Sequence, residues 1–342
     1  MRTNGIQFNL SGLVSIKVLL VTPYSFQKYG GVQNQVNLIE DYLSSHEEFE
    51  VKVFAYGKTE SLDSNKVFNI PFNSSVSSVL LFPNRKLLLD YIDWADVVHV
   101  HEPFVPIFFW KLPKNKKYIF THHASLGRII TNILSIVYKS FKYRSISTYV
   151  SKSAESNALS LNSEPVLIPN MIKINPNISF NKRQGYLFIG RQESRKNYSF
   201  FVKLSNHKQF TNKLFYAITN KDKSDKNITI YENPTDEFKI EIFGKTNIYL
   251  ALNTKSESFG ITLLEAVNNG NLVISSDLSS FINVLPNSHI VYKNNNFDSL
   301  CNVLTKLDSE DLNFLWNKQY KDIREYDLKE NMKKFILLYS NL

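Results

Sequence analysis

Four groups of residues in this 342-residue chain have types and spacings that could do chemistry. "ESFGITLLEAVNNG" (257–270) sets Glu257 and Glu265 eight residues apart around a Ser-Phe-Gly turn. Read alone, the two are either working carboxylates or solvated charges on an ordinary helix. Gly260 is expected to open that helix, carried by Ile261, Leu263, Leu264 and Val267, so that the N–H groups of Phe259 and Gly260 face a cleft. Glu257 in the loop would accept hydrogen bonds from sugar hydroxyls, and Glu265 from a vicinal diol such as a ribose. "GRQESRKN" (190–197) places Arg191 and Lys196 on one loop, where a guanidinium fork and a point charge suit a diphosphate; the alternative is a solvated basic loop. Gly30 and Gly31 lie between a strand and a helix, either as a plain tight turn or as a close approach to an anion at the helix N-terminus. They do not form GxGxxG, and no acidic residue of the dinucleotide type ends the next strand. The fourth group is histidine: His99 and His101 in "HVHEP" (99–103), and His122 and His123 in "THH" (121–123). Each is a core or rim residue, a donor to a sugar or phosphate, or a metal ligand. No HExxH and no carboxylate at helical spacing supports the metal, and none is expected.

Chemistry at these positions requires rigid elements beneath them, and the hydropathy pattern supplies two sets. "SIKVLLVTPYSF" (15–26) is a near-continuous apolar run of the buried parallel type. A helix on Val32, Val36, Ile39 and Leu43 follows, then a strand in "FEVKVFAYG" (49–57), which makes a β-α-β opening. "ADVVHVHEP" (95–103), "KKYIFTHHAS" (116–125), "SISTYVS" (145–151) and "PVLIPN" (165–170) continue the sheet. The polar "NPNISFNKRQ" (175–184) reads as a linker. Strands then restart at "GYLFIG", "KLFYAITN", "ITIYEN", "NIYLALN", "NLVISSD" and "HIVYK", with a helix near 235–243. The tail from Ser309 reads as helices, with apolar positions at Phe335, Leu338 and Tyr339. The fold class is α/β, two doubly wound Rossmann-like domains facing across a cleft, which puts every candidate residue near a strand C-terminal end. The expected boundaries are 1–174 (with 1–14 a loose extension), 175–325, and a closing helix at 326–342.

An apolar fraction of 43% and a charged fraction of 21% fit a globular protein of two cores. No run reaches the ~18–20 apolar residues of a membrane span. Cys301 is the single cysteine, so no disulfide forms within the chain, which suits a reducing cytosol. The net charge of +9 reads as dispersed and without a nucleic-acid signature, so no nucleic-acid partner is expected. "SSVLLFPNRKLLLDYI" (77–92), with Arg85 and Lys86, and "FVPIFFWKLPKNKKY" (104–118), with Phe108, Phe109 and Trp110, pair apolar residues with cations. They are either a docking surface for an anionic leaflet or core with a solvated rim.

In order along nearly the whole chain, "PYSFQKYGGVQNQV", "DVVHVHEP", "THHASLG", "VSKSAE", "IPN", "GRQESRKN" and "ESFGITLLEA" resemble the retaining glycosyltransferases of family 4, of GT-B fold. The last matches the family's E-x7-E signature. The first half is most similar to phosphatidylinositol mannosyltransferases. The resemblance implies a GDP- or UDP-sugar held by the second domain, with no cofactor and no metal. By it Arg191 and Lys196 bind the diphosphate, Glu257 lies against the donor sugar, and Glu265 holds the ribose. Gly31 packs on the diphosphate, and His123, as "HAS", reaches the reacting centre. It implies transfer of a hexose to a lipid-linked or glycolipid acceptor by a cytoplasmic enzyme peripheral to the membrane. The alternatives are a soluble sugar or protein acceptor, or a non-catalytic nucleotide-sugar-binding module. Three departures stand out: Asn197 where the family has Gly after the Lys, "IPNMIK" in place of "NGVD", and "LALNTKSES" without "PS" before the Glu.

Overall fold

Strands covered on both faces need apolar side chains at nearly every position, and the apolar runs of this chain become parallel strands of two sheets. The computed structural model describes residues 15–341 except 29, 61, 73–74, 105–111, 125, 127, 142–143, 162–163, 221–224 and 256. The expected loose extension at 1–14, and Phe108, Phe109 and Trp110, lie outside the described residues. The first sheet contains β1 (Ile16–Val21), β2 (Phe49–Phe54), β5 (Val97–His101), β6 (Lys117–His122), β7 (Arg144–Tyr149) and β8 (Val166–Leu167), in the order β2-β1-β5-β6-β7-β8. An antiparallel hairpin, β3 (Val67–Phe72) and β4 (Ser75–Leu80), occupies the sequence between β2 and β5. The second sheet contains β9 (Tyr186–Ile189), β10 (Phe215–Thr219), β11 (Thr229–Glu232), β12 (Ile248–Ala251), β13 (Leu272–Ser276) and β14 (Val291–Tyr292), in the order β11-β10-β9-β12-β13-β14. Counted within its own sheet this is the order 3-2-1-4-5-6 of a dinucleotide-type fold, with a switch point between β9 and β12. The first sheet reverses between β1 and β5. Both architectures are α/β and Rossmann-like, as the sequence led us to expect.

The period-2 alternation of the strands divides the first domain's core into two layers. Leu19, Val21, Val98, Val100, Tyr118 and Phe120 face Leu88 and Ile92 of α2 (Arg85–Trp94). Val18, Leu20, Val53, Val97 and Ile119 face Val36, Ile39 and Leu43 of α1 (Gly31–Ser44). Thus Val79, Leu80, Leu88 and Ile92 of 77–92 serve the core, Phe82 is 51% exposed against Phe68, and Arg85 and Lys86 stay exposed beside the Asn84 cap. The helices α3 (Arg128–Phe141) and α4 (Glu155–Leu159) follow β6 and β7. Helices α5 (Tyr198–Ser205), α6 (Asp236–Phe243), α7 (Ile261–Asn268), α8 (Ser279–Val284), α9 (Phe297–Leu307) and α10 (Leu312–Ile323) surround the second sheet. Trp316 and Gln319 of α10 bind the backbone of Val267 and Val273, which fastens that helix to the second domain.

The polar segment 175–184 is not a free linker. Asn181 donates to the carbonyls of Phe243 and Asn269, and Ile178 and Phe180 pack on the second core. The chain crosses between domains just before it. There Gln35 clamps Met171, donating to its carbonyl at 3.0 Å and accepting from its N–H at 2.6 Å. The second crossing lies beside the first: the Ile172 N–H donates to Tyr326 and its carbonyl accepts from Leu328, both at 2.9 Å. The final helix, α11 (Leu328–Asn341), then buries Met332, Phe335 and Tyr339 in the first domain's core. Truncation of Phe335 to Ala is expected to destabilise that domain by about 3–5 kcal/mol, through lost burial and the cavity left behind. Faster hydrogen exchange in β1 and β5, with β9 and β12 unaltered, is the measurement that checks it.

Candidate functional site

In open α/β sheets the crevice lies beyond the strand C-terminal ends at the switch point, and the singled-out residues sit there. Gly30 and Gly31 follow β1, His101 and Glu102 end β5, Arg191 follows β9, and Asn253 to Glu257 follow β12.

Gly31 begins α1 and approaches the first residue of α7. A Cβ at Gly31 would stand 3.2 Å from Ile261 Cδ1, a tight contact that glycine avoids without displacing the isoleucine. Two helix N-termini, one from each domain, therefore meet across the cleft. Neither has a side-chain cap, and neither has an acidic residue in its first turn. Their unpaired N–H groups and dipoles leave the junction positive. Gly260 opens α7 with φ 102°, a conformation strained for any side chain, and a Cβ there would press on Phe281 at 3.0 Å. Its neighbour Phe259 is buried edge-on to Tyr326, 5.5 Å between centroids, which anchors the turn. Gly30 is extended, and the Gln33 side chain folds back over it while donating to the Ser25 carbonyl. The loops also touch across the cleft, where Ser153 donates to the Ser258 carbonyl at 3.2 Å.

The second domain brings three of the predicted residues together. Lys196 Nζ donates to Glu257 Oε2 at 2.8 Å, and Asn253 Nδ2 donates to the same oxygen at 2.7 Å. Arg191 lies on the same loop, 41% exposed, with its Nε 3.1 Å from Glu193 Oε1. The loop is tied down from behind, since the Arg195 carbonyl accepts from Thr254 N at 2.8 Å. Asn197 takes up φ 56°, ψ 41°, a left-handed conformation that Asn tolerates better than other non-glycine residues. That is the physical reason Asn can stand where the resembled family carries Gly. Glu265, on α7, pairs instead with Lys239 of α6, at 2.6 Å. Neither Lys239 nor Asn253 stands out in the sequence: Lys239 lies 26 residues before its partner on a separate helix, and Asn253 lies four before Glu257 in an irregular loop that imposes no pattern.

The histidines form a buried stack. His99 and His101 face the same way from β5, with ring centroids 4.2 Å apart. His99 bonds Tyr339 of α11 through Nδ1 (2.9 Å) and Thr121 through Nε2 (2.6 Å). His101 Nδ1 lies 2.9 Å from His123 Nε2, so the stack runs from α11 to the cleft loop. His123 is 8% exposed, whereas His122 is fully buried on the opposite face, edge-on to Phe104. His123, then, is the one of the pair that lies with the cleft-side stack. Burial holds His99 and His122 down at about 3, well below the usual imidazole range, and His123 at about 4 with Asn170 pulling the other way. His101 is lowered too, by burial and by its two histidine neighbours. Among the described residues, no group of three or more His, Cys, Asp and Glu could hold a metal ion.

Glu102, the middle residue of "HEP", has a role that its sequence context does not signal. Its backbone is left-handed (φ 56°), and its buried Oε1 accepts from the N–H groups of His123 and Ala124, both at 2.6 Å. Burial pushes its carboxyl up to about 7, against the pull of those two donors. The carboxylate thus fixes the backbone of the loop that carries His123.

These shifts set the pH dependence of the first domain. The four histidines stay neutral when folded, whereas an unfolded chain protonates them below 6.5; their contribution is therefore lost as pH falls below that value. Glu102 acts oppositely, contributing fully below 4.5 and losing that contribution as pH rises to about 7. Four groups outweigh one. Between pH 7.5 and 5.5, stability should fall by roughly 3–4 kcal/mol, read from exchange of the β5 and β6 amides.

With this geometry established, comparison with known proteins places it. No protein-family model matches the chain. It is 26% identical over 310 residues to a phosphatidyl-myo-inositol mannosyltransferase of Mycobacterium leprae, covering 80% of this chain and 82% of that one. The protein of that name from Propionibacterium freudenreichii is 24% identical, over 79% of each chain. Among solved structures, a glycosyltransferase from Rickettsia africae superposes with a TM-score of 0.69 at 17% identity, over 96% of this chain and 98% of that one. Anabaena HepE in complex with UDP-glucose gives 0.68 at 12% identity, over 96% and 100%. The fold is GT-B, and the resemblance drawn from the motifs extends along four fifths of the chain.

Proposed function

We propose that this chain, whose fold and relatives are those of glycosyltransferases, moves a hexose from a GDP- or UDP-sugar to a lipid-linked acceptor, with retention and without a metal ion. The observation that carries the reading is the convergence of two uncapped helix N-termini beside the loop bearing Lys196 and Arg191. When the bond between the anomeric carbon and the leaving oxygen breaks, charge develops on the departing diphosphate. Preorganised donors at that point stabilise the transition state more than the ground state. Lys196 would supply a point charge there, Arg191 a fork, and the α1 and α7 termini their N–H groups. To serve the phosphate, Lys196 must exchange Glu257 for it, which frees a carboxylate for the hydroxyls of the donor sugar. We assign Glu257 to positioning and electrostatics and not to nucleophilic attack, since Lys196 and Asn253 hold one of its oxygens in place. Glu265 would bind the ribose, with Lys239 fixing its orientation. His123, neutral near pH 7, would sit at the reacting centre on a loop locked by Glu102.

The acceptor follows from likeness to proteins named for mannosyl transfer to a phosphatidylinositol, and the donor class from HepE, solved with UDP-glucose. Nucleotide sugars and a reducing environment suit the cytosolic face of a membrane. Among the described residues no helix is long and apolar enough to cross one.

A thermal-shift panel of GDP- and UDP-sugars tests the donor, since a ligand at 100 times its Kd adds about 2.7 kcal/mol. Lys196→Ala should abolish transfer and weaken nucleotide-sugar binding by roughly 10–100-fold, the cost of a lost charge-assisted contact. Glu257→Ala should lower kcat while leaving the Kd for the bare nucleotide within a factor of about 3; an undiminished rate would remove it from the site. Transfer that persists in EDTA, with the anomer of the product read by NMR, checks the metal-free retaining route.

A further inference from the structure

Helix α3 (Arg128–Phe141) is mounted inside out. An amphipathic helix on a globular protein turns its apolar stripe to the core. Here the inward positions are Thr131, Leu134 and Ser135, with Thr131 Oγ1 donating to Asn157 at 3.0 Å. The isoleucines face outward: Ile129, Ile130, Ile133 and Ile136 are 76%, 51%, 58% and 70% exposed. Their spacing, i, i+1, i+4 and i+7, places all four along one face of the helix. Four bare isoleucines on one helix form a coherent patch and not scattered surface residues.

The sequence that carries this patch is one-sided in charge as well. The 52 residues from 103 to 154 contain nine Lys or Arg and no Asp or Glu. The rest of the chain carries 31 of each sign, so the whole net charge of +9 resides in this stretch and is not dispersed along the chain. Arg128, Lys139, Lys142 and Arg144 flank or belong to α3 in sequence. The sheet register adds Lys117 opposite Arg144, at the edge from which β7 leaves α3.

We propose that α3 is the surface by which this protein docks on an anionic bilayer, lying in the interface with Ile129, Ile130, Ile133 and Ile136 among the acyl chains. Apolar burial and attraction to anionic headgroups act together in such helices, and both components are present. Lys116 and Lys152 pair with Asp93 and Glu155 just outside this stretch; it still carries a positive excess in sequence, so a second copy would meet like charge, which opposes that pairing. The patch is also wired to the cleft. Asn157 accepts from Thr131 and donates to the carbonyl of Ala124, two bonds that join α3 to the loop of His123. On the lipid-acceptor reading, docking there brings the acceptor headgroup to the first domain's side of the cleft; the docking itself does not rest on that reading. It relocates the surface expected at Arg85 and Lys86, where Leu80, Leu88 and Ile92 are core and Phe82 alone of the large apolar residues is mostly exposed.

Flotation with vesicles of phosphatidylcholine, and of phosphatidylcholine with phosphatidylglycerol, tests this on the full chain without donor or acceptor. The protein should float with the anionic vesicles only, and less as salt is raised. Combined Ile129→Ser, Ile133→Ser and Ile136→Ser should lower the partition coefficient by about tenfold or more. Arg85→Ser with Lys86→Ser should leave it unchanged. Ile133→Trp, a single surface change, should blue-shift the protein's indole emission on adding anionic vesicles, relative to the wild-type chain. Undiminished flotation of the triple variant, equal flotation with neutral vesicles, or an emission spectrum of the Ile133→Trp variant that does not shift would overturn the proposal. So would a dimer in sedimentation that the triple variant abolishes. Transfer to a water-soluble acceptor analogue separates this from the catalytic reading. The triple variant should retain it, and its absence in a wild-type protein that still floats would count against transfer and not against docking.

Discussion

Every strand in both six-stranded sheets runs parallel to its neighbours, and that constraint governs where the chemistry sits. A parallel sheet forces each connection to return across a face, so all carboxyl ends share one rim. Two such rims face each other here. The loops after β1, β5, β9 and β12 then have one place to go: Gly31 approaches Ile261 there, and the Lys196–Glu257 pair lies on the second domain's side. Helices that follow those strands start at the rim, so α1 and α7 present their N-termini to it. The positive junction between the domains is thus a product of topology before any cation is added. Lys196 and Arg191 reinforce a field that the backbone has already set up.

The first domain accepts a cost for its rim. Four imidazoles and a carboxyl are buried behind it, and each is worth less to stability than an apolar side chain that packs as well. The arrangement yields definition in return. Tyr339, His99, Thr121 and Thr148 form one hydrogen-bonded line, which fixes α11 against β5 and β6. Glu102 holds two consecutive N–H groups that would otherwise be buried donors in a loop. The loop bearing His123 is therefore clamped from below by a carboxylate and from the side by Asn157. Polar networks of this kind restrict a site to one geometry where an apolar core would allow several.

Much of this was legible in the sequence. Apolar runs marked the parallel strands because burial on both faces leaves no room for alternation. Gly260 and Gly31 could be read because a glycine between strand and helix answers a steric need. The E-x7-E pair was visible, but not its partners. Lys239 meets Glu265 through the packing of two helices, which no local spacing records, and Asn253, four residues before Glu257, has no periodic pattern in its loop to mark it. Glu102 looked like a turn residue, since its value lies in two backbone groups 21 and 22 positions away. Helix α3 was the largest omission. Periodicity can reveal that a segment has two faces, but it does not say which one the fold turns inward. On α3 the answer runs against the usual rule: Thr131 bonds Asn157 inside, Ser135 is buried with its hydroxyl satisfied by the helix's own Asn132 carbonyl, and the isoleucines face out.

The paired crossings at Ile172 and Asp327 have a mechanical meaning. Two covalent connections that run side by side, bonded to each other through Ile172, act like the two knuckles of a door hinge. They permit rotation about one line and resist twist and sliding. Were the cleft to widen for a donor and shut again, rotation about this line would be its easiest motion, with Gln35 anchoring the pin to α1. The end of α11 is buried in the first domain's core, so in such a swing it would belong with that domain and the second would move against it. The closing helix is, in that motion, the fixed leaf of the door.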